Sequence, residues 1–226
     1  MLIFWKRHLV FLANTKTGSV SIEMALESLA DVAVSRPPAL KHTTAARFGT
    51  LLAPFLSASN EGAAFETVAL IREPGDWLGS WYRYRLREHL PIGDGTREDF
   101  AAFVEGWLDD PAGGLAGLGS QSAYLADEAG EVLVDHLFRY EEIDAFLHFL
   151  EDRLDCAVTL PHMNVSPPAS TELPSELAAR LAAQLAQDKA LYDAVPAGGL
   201  HRTAPAGDIA PQAAEPGPRP QPLRIG

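Results

Sequence analysis

Leu9 to Met24 reads LVFLANTKTGSVSIEM: an apolar run, a Lys-Thr-Gly-Ser turn, then an amphipathic run. A buried strand that stops at small residues and hands over to a helix leaves several backbone N–H groups in one concavity, with the helix dipole behind them. Such a turn is a cradle for phosphate. Lys16 stands at its mouth as a point charge, and Thr17, Ser19 and Ser21 offer hydroxyl donors.

The chain has 226 residues, 47% of them hydrophobic, with helix-like and strand-like runs alternating, so it suits an α/β domain with an ample core. A net charge of −12 argues against a general nucleic-acid or anionic-membrane binder. An anion site must then be locally basic within an acidic shell. The single cysteine, Cys156, provides no disulfide framework and reads as a small core residue. Lys6 and Arg7 precede an apolar run too short for a secretory signal, and no segment approaches the roughly 20 apolar residues of a membrane span. The expectation is a soluble, cytoplasmic protein.

Outward from the opening stretch, His8–Ala13 reads as the first strand. Gly18–Leu29 reads as a helix offering Val20, Ile22, Met24, Ala25 and Leu29 for burial. Asp31–Val34 is a second strand, and Lys41–Thr44 a connecting loop that leaves His42 exposed. Phe65–Ile71 is the clearest buried strand. It ends at Arg72-Glu73-Pro74-Gly75, which turns into a helix over Asp76–Glu88. In an open parallel sheet ligands collect at the carboxyl ends of strands, so the turns at Lys16 and Arg72 belong on one edge if their strands are parallel neighbours. Ser80, two helical turns past Arg72, faces back toward that edge. Phe100, Phe103, Val104 and Trp107 form a core stripe on a helix over Glu98–Leu108. Val132–Phe138 reads as a strand, Ile143–Leu154 as an amphipathic helix and Ser175–Tyr192 as a final helix. Residues 197–226, rich in Pro and Gly, read as a disordered tail after a domain spanning 1–196.

Lys-Thr-Gly-Ser is not a nucleoside-triphosphate P-loop, where the lysine follows the glycines; here Lys16 precedes Gly18. The strand and Lys-Thr-Gly turn, the Arg72…Ser80 spacing, Gln121–Tyr124, Phe138-Arg139-Tyr140-Glu141, Leu160-Pro161-His162-Met163-Asn164 and Gln187-Asp188…Tyr192 occur in an order that resembles the sulfotransferases using 3′-phosphoadenylyl sulfate (PAPS). The likeness is closest to their carbohydrate-type and bacterial branch and covers roughly residues 8–193. It implies a three-layer α/β sandwich with a central, mostly parallel sheet, of P-loop NTPase-like sulfotransferase fold. It also implies sulfuryl transfer from PAPS to a hydroxylated acceptor, a carbohydrate or small metabolite, with adenosine 3′,5′-bisphosphate as product and no metal.

By the same resemblance Lys16, Thr17, Gly18 and Ser19, with Ser21, hold the 5′-phosphosulfate, and Lys16 bridges toward the transferring group. Arg72 and Ser80 grip the 3′-phosphate. The alternative for Arg72 is a strand-end ion pair with a carboxylate such as Glu73. His42 is the leading base, with Glu73 and Glu141 as alternatives, while His162 orients its loop. Val20 stands where relatives commonly carry a hydroxyl, and Pro167-Pro168 where they carry basic residues. A third cation for the 3′-phosphate is open among Arg83, Arg85 and Arg139. Acceptor specificity falls to Pro37–Thr44, Arg85–Thr96 and Gly113–Ser120. The alternatives are a nucleotide-binding protein without turnover and a nucleotide-dependent kinase. Neither acceptor identity nor oligomeric state is written in these residues.

Overall fold

Alternation decides the centre of the molecule. In a computed structural model, which describes residues 1–92, 97–109, 118–161 and 168–202, the strands β2 (Leu9–Phe11) and β4 (Glu66–Ile71) are buried on both faces. Leu9, Phe11, Val68 and Leu70 point to one side, and Val10, Ala69 and Ile71 to the other. Six strands form a mixed sheet in the order β3-β1-β2-β4-β5-β6. β4 lies between β2 and β5 (His136–Arg139), parallel to each. β1 (Leu2–Phe4) runs antiparallel to β2 and β3 (Val32–Ala33), and β6 (Leu200–His201) antiparallel to β5.

Helices cover both faces. On one side α1 (Ser19–Leu26) and α8 (Ile143–Leu154) bury Ile22, Leu26, Phe146 and Leu150. On the other lie α3 (Ala45–Arg47), which continues through a π-helical turn at Phe48–Leu52 into α4 (Ala53–Ala58), α7 (Gln121–Leu125) and α10 (Ala186–Ala194). A third apolar cluster joins α5 (Pro74–Arg87), α6 (Phe100–Asp109) and α9 (Ser175–Gln184), with the stripe Phe100, Phe103, Val104 and Trp107 inside it. The short α2 (Pro38–Lys41) precedes His42. Among the described residues no helix is long and apolar enough to cross a membrane.

Several expectations are corrected here. α1 buries Ser19, Ile22, Glu23 and Leu26, a stripe at helical spacing, so Val20 (38% exposed), Met24 and Leu29 fall off it and face solvent. The single helix expected over Ser175–Tyr192 is two: Leu177, Leu181 and Leu185 enter the α5–α6 cluster, whereas Leu191 enters the sheet core. The chain must therefore turn at Leu185. Strand β5 starts only at His136, and Val132 makes a single bridge to Ala126. Cys156 is half-buried at the margin of the α1–α8 core. Strand β6 falls inside the segment expected to be disordered. Gly199 permits it: at φ 100° it lies against Phe138, where a Cβ would stand 2.5 Å from the ring. Residues 203–226 lie outside the described residues.

Candidate functional site

The turn after β2 is fixed from within. Asn14, 1% exposed, donates to Leu70 O at 3.0 Å and accepts from Thr15 N at 2.8 Å. Thr17 donates its hydroxyl to Asn14 O at 3.0 Å. The indole N–H of Trp77 donates to Thr15 O at 3.1 Å, and Arg72 Nη1 to Lys16 O at 3.0 Å. These bonds hold Lys16 at φ 60° against a cost of roughly 1–2 kcal/mol for a residue with a Cβ. Gly18 follows at φ 72°, where a Cβ would meet Tyr140 at 3.0 Å. Helix α1 then begins at Ser19 with no side-chain cap from Gly18.

Arg72 sits at the carboxyl end of β4, the parallel neighbour of β2, and this brings the two turns together. Gln121 fixes that strand end at two points, accepting from Arg72 N at 2.9 Å and donating to Arg72 O at 2.7 Å. Gln121 is in turn held by Asp188, which accepts from the N–H groups of Gln121 (3.0 Å) and Ser122 (2.8 Å). The guanidinium of Arg72 packs over Tyr140 and binds Asp76, with Nε at 2.8 Å and Nη2 at 2.5 Å from Oδ2, while Arg83 takes the other oxygen at 2.8 Å. The strand-end ion pair given as the alternative for Arg72 is made, with Asp76 rather than Glu73. Burial by itself would raise the Asp76 carboxyl, but the two guanidinium groups hold it below the usual range.

Lys16, Gly18, Ser19, Val20, Ser21, His42, Arg72 and Ser80 line one cavity of about 400 Å³, within the roughly 300–1,000 Å³ of small-molecule clefts. The described lining carries Lys16, Lys41, Arg72 and Arg87, and no Asp or Glu. Thr17 is not among its walls, because its hydroxyl is turned inward to Asn14 and fully buried. His42 is half-buried rather than exposed. Its Nδ1 lies 2.6 Å from Ala13 O; a carbonyl only accepts, so Nδ1 carries the hydrogen and the neutral ring keeps its lone pair at Nε2. Burial lowers its pKa from the ordinary value. Lys41 is held by the buried Glu23 at 2.6 Å, which also pairs with the Met1 amino group.

The carboxylates named as alternative bases, Glu73 and Glu141, are not among the lining residues of the cavity. Glu73 caps α5 by accepting from Asp76 N, and Glu141 accepts from Glu73 N and from the Tyr192 hydroxyl. None of Arg83, Arg85 and Arg139 lines the cavity: Arg83 binds Asp76, Arg85 binds Pro91 O, and Arg139 lies over Tyr192. Arg87, within the segment assigned to acceptor specificity, lines it instead, with Tyr140 of the Phe138–Glu141 motif and with Trp81 and Tyr84, which sequence reading did not single out. Ser80, Tyr84 and Arg87 repeat at helical spacing along α5, a signal that was there to be read. His162 to Pro167, Gly113 to Ala116 and Gly117 lie outside the described residues. Among the described residues no group of three or more His, Cys, Asp or Glu is gathered as metal ligands. Comparison with known proteins finds no matching family model, no matching curated protein and no matching solved structure.

Proposed function

We propose that the protein transfers a sulfuryl group from 3′-phosphoadenylyl sulfate to a hydroxyl acceptor, on a sulfotransferase-type α/β fold. The observation that carries this reading is the convergence of two strand-to-helix turns on one cationic cavity, joined by the Arg72 to Lys16 O hydrogen bond. A ligand anionic at two points suits that arrangement. The first turn offers the amino end of α1, the hydroxyls of Ser19 and Ser21, and Lys16. The second offers Arg72 and Ser80.

The donor supplies an activated sulfuryl group when bound. The protein's part is to position the acceptor, remove its proton and offset charge on the departing phosphate. His42 takes the acceptor's proton at Nε2, since Nδ1–H is committed to Ala13. Lys16, whose ammonium group belongs to the first turn, carries the positive charge that opposes the growing negative charge. Arg72 enters this reading with its guanidinium shared between Asp76 and the turn, so it steadies Lys16 as well as facing the cavity.

A second reading, a nucleotide-binding protein without turnover, is favoured by the Val20 isopropyl group in the cavity wall where a hydroxyl would complete the cradle. Calorimetry with adenosine 3′,5′-bisphosphate in the absence of magnesium tests both readings. Binding supports them, and no binding at millimolar ligand overturns them. Transfer from labelled donor to a panel of hydroxylated acceptors then separates the enzyme from the binder.

A further inference from the structure

Among the described residues Lys16 lies against aromatic rings and forms no ion pair with a carboxylate. Its Nζ lies 4.3 Å from the centroid of Tyr84 and 5.1 Å from that of Trp81, and the two rings stand edge to face with centroids 5.7 Å apart. The Arg87 guanidinium lies 5.4 Å from the same Tyr84 centroid. One aromatic ring thus serves two cations. An aromatic face attracts a cation through its quadrupole without neutralising it, so a lysine stationed this way keeps its charge for an incoming anion. A carboxylate in the same place would compete with that anion.

We propose that Tyr84 and Trp81 are positioning residues that station the Lys16 ammonium group at the cavity wall for a phosphoryl or sulfuryl anion. The proposal rests on the reading of this cavity as an anion site. The charged groups facing Lys16 are Arg72 at the end of β4, and Arg83, Arg87 and Glu88 on and just after α5; Lys41 and His42 line the same cavity. Burial first, then Arg87, Arg72 and Arg83, lower the Lys16 pKa to about 8. Lys16 is therefore half neutral near pH 8 in the free protein, and an anion brought to the clasp draws a proton onto it.

A double-mutant cycle tests the proposal, with adenosine 3′,5′-bisphosphate as the probe at pH 7. Tyr84→Leu weakens binding roughly 2- to 30-fold, the range spanned by cation–π contacts, and Tyr84→Phe restores it to within about 2-fold because the ring face is kept. In a Lys16→Met background Tyr84→Leu has little further effect. An equal loss in both backgrounds, or a Phe variant as weak as Leu, overturns the clasp. The Lys16 Cε resonance, followed by NMR in the ligand-free protein, reads the clasp without any ligand. Its titration midpoint is the same in wild type and Tyr84→Phe and is displaced in Tyr84→Leu; one midpoint for all three overturns the clasp. Failure of the wild type to bind the probe overturns the functional reading alone.

Discussion

The two ends of the central strands treat charge in opposite ways. At the amino ends of β4 and β5, Glu66 accepts from Arg153 and lies 3.3 Å from His136 Nε2, and His136 Nδ1 lies 3.0 Å from His201 Nδ1. Phe149 and Phe138 pack against those rings. The Glu66 carboxylate and the Arg153 guanidinium answer one another there. At the carboxyl ends of β2 and β4 the cavity gathers four cationic side chains, while the carboxylates that hold them, Asp76, Glu23 and Glu88, stand outside the described lining. Burial first, and then the neighbouring cations, raise the free energy of charged Lys16, and its lowered pKa records both. Asp76, Glu23 and Glu88 answer three of the four cations, and an anion at the cavity would relieve the repulsion left around Lys16. A closed charge cluster fastens the fold, and an open one marks a site.

The strongest way to break the comparison is at His42. His42→Ala should lower kcat roughly 10²- to 10⁴-fold, the range for loss of a general base, with little change in adenosine 3′,5′-bisphosphate affinity. A rate within about 3-fold of wild type would remove His42 from the chemistry. Lys16→Met should cost roughly 10²- to 10³-fold in kcat, as for one lost charge-stabilising donor, and should weaken the bisphosphate as well. Together they set the pH profile. In the proposed role protonation disables His42, and burial lowers its pKa, so kcat/KM should rise through a midpoint below 6.5. It falls again as Lys16 loses its proton at about pH 8. Whatever activity Lys16→Arg retains should lack the alkaline fall, since a guanidinium stays charged. An alkaline limb that persists in Lys16→Arg belongs to another group.

Arg72→Lys comes next. Lysine has no fork to span Lys16 O and Asp76, so bisphosphate affinity should drop roughly 10- to 100-fold, the worth of one or two charge-assisted hydrogen bonds. Gly18→Ala should lower stability by roughly 1–2 kcal/mol through its left-handed φ alone, measured by urea denaturation. It should also displace Tyr140, which stands under Arg72, and so reduce affinity. An alanine variant as stable as wild type would mean that the turn relaxes freely.

Much of the site was legible because its determinants are local. Strand-to-helix turns punctuated by Gly18 and by Pro74-Gly75 can be read from a few residues, and the run Phe65–Ile71 declares a buried strand on both faces. Their convergence follows from the parallel pairing of β2 with β4. What sequence reading missed depends on contacts far along the chain. Thr17 and Ser19 look equivalent until Asn14 turns one hydroxyl inward. His42 looks like a loop residue until Ala13 O, 29 positions away, captures Nδ1. The hairpin of β1 with β2 and the two-residue β3 and β6 hold too few residues for a periodic pattern. Arg87 was legible in principle, seven residues past Ser80 on one helix face, but its charged neighbours Arg85 and Glu88 hid the stripe.

The smallest effect is expected at the closed end. Glu66→Gln keeps shape and removes the charge that answers Arg153 and His136. Because the Glu66 side chain is 46% exposed, solvent discounts the loss to about 0.5–1 kcal/mol at pH 7. Burial by itself would raise the Glu66 pKa, but hydrogen bonds from Arg153 and His136 carry it below the ordinary value. A carboxyl lowered on folding adds stability that is complete above its unfolded pKa, 4.5, and is lost as pH falls through the folded value. Urea midpoints of wild type and Glu66→Gln should therefore differ at pH 7 and converge in acid. Bisphosphate affinity should be the same in both, because the cluster lies at the opposite end of the strands from the cavity. A variant that lost affinity while staying folded would show that the two ends share their electrostatics, and the contrast between a closed cluster and an open one would fail.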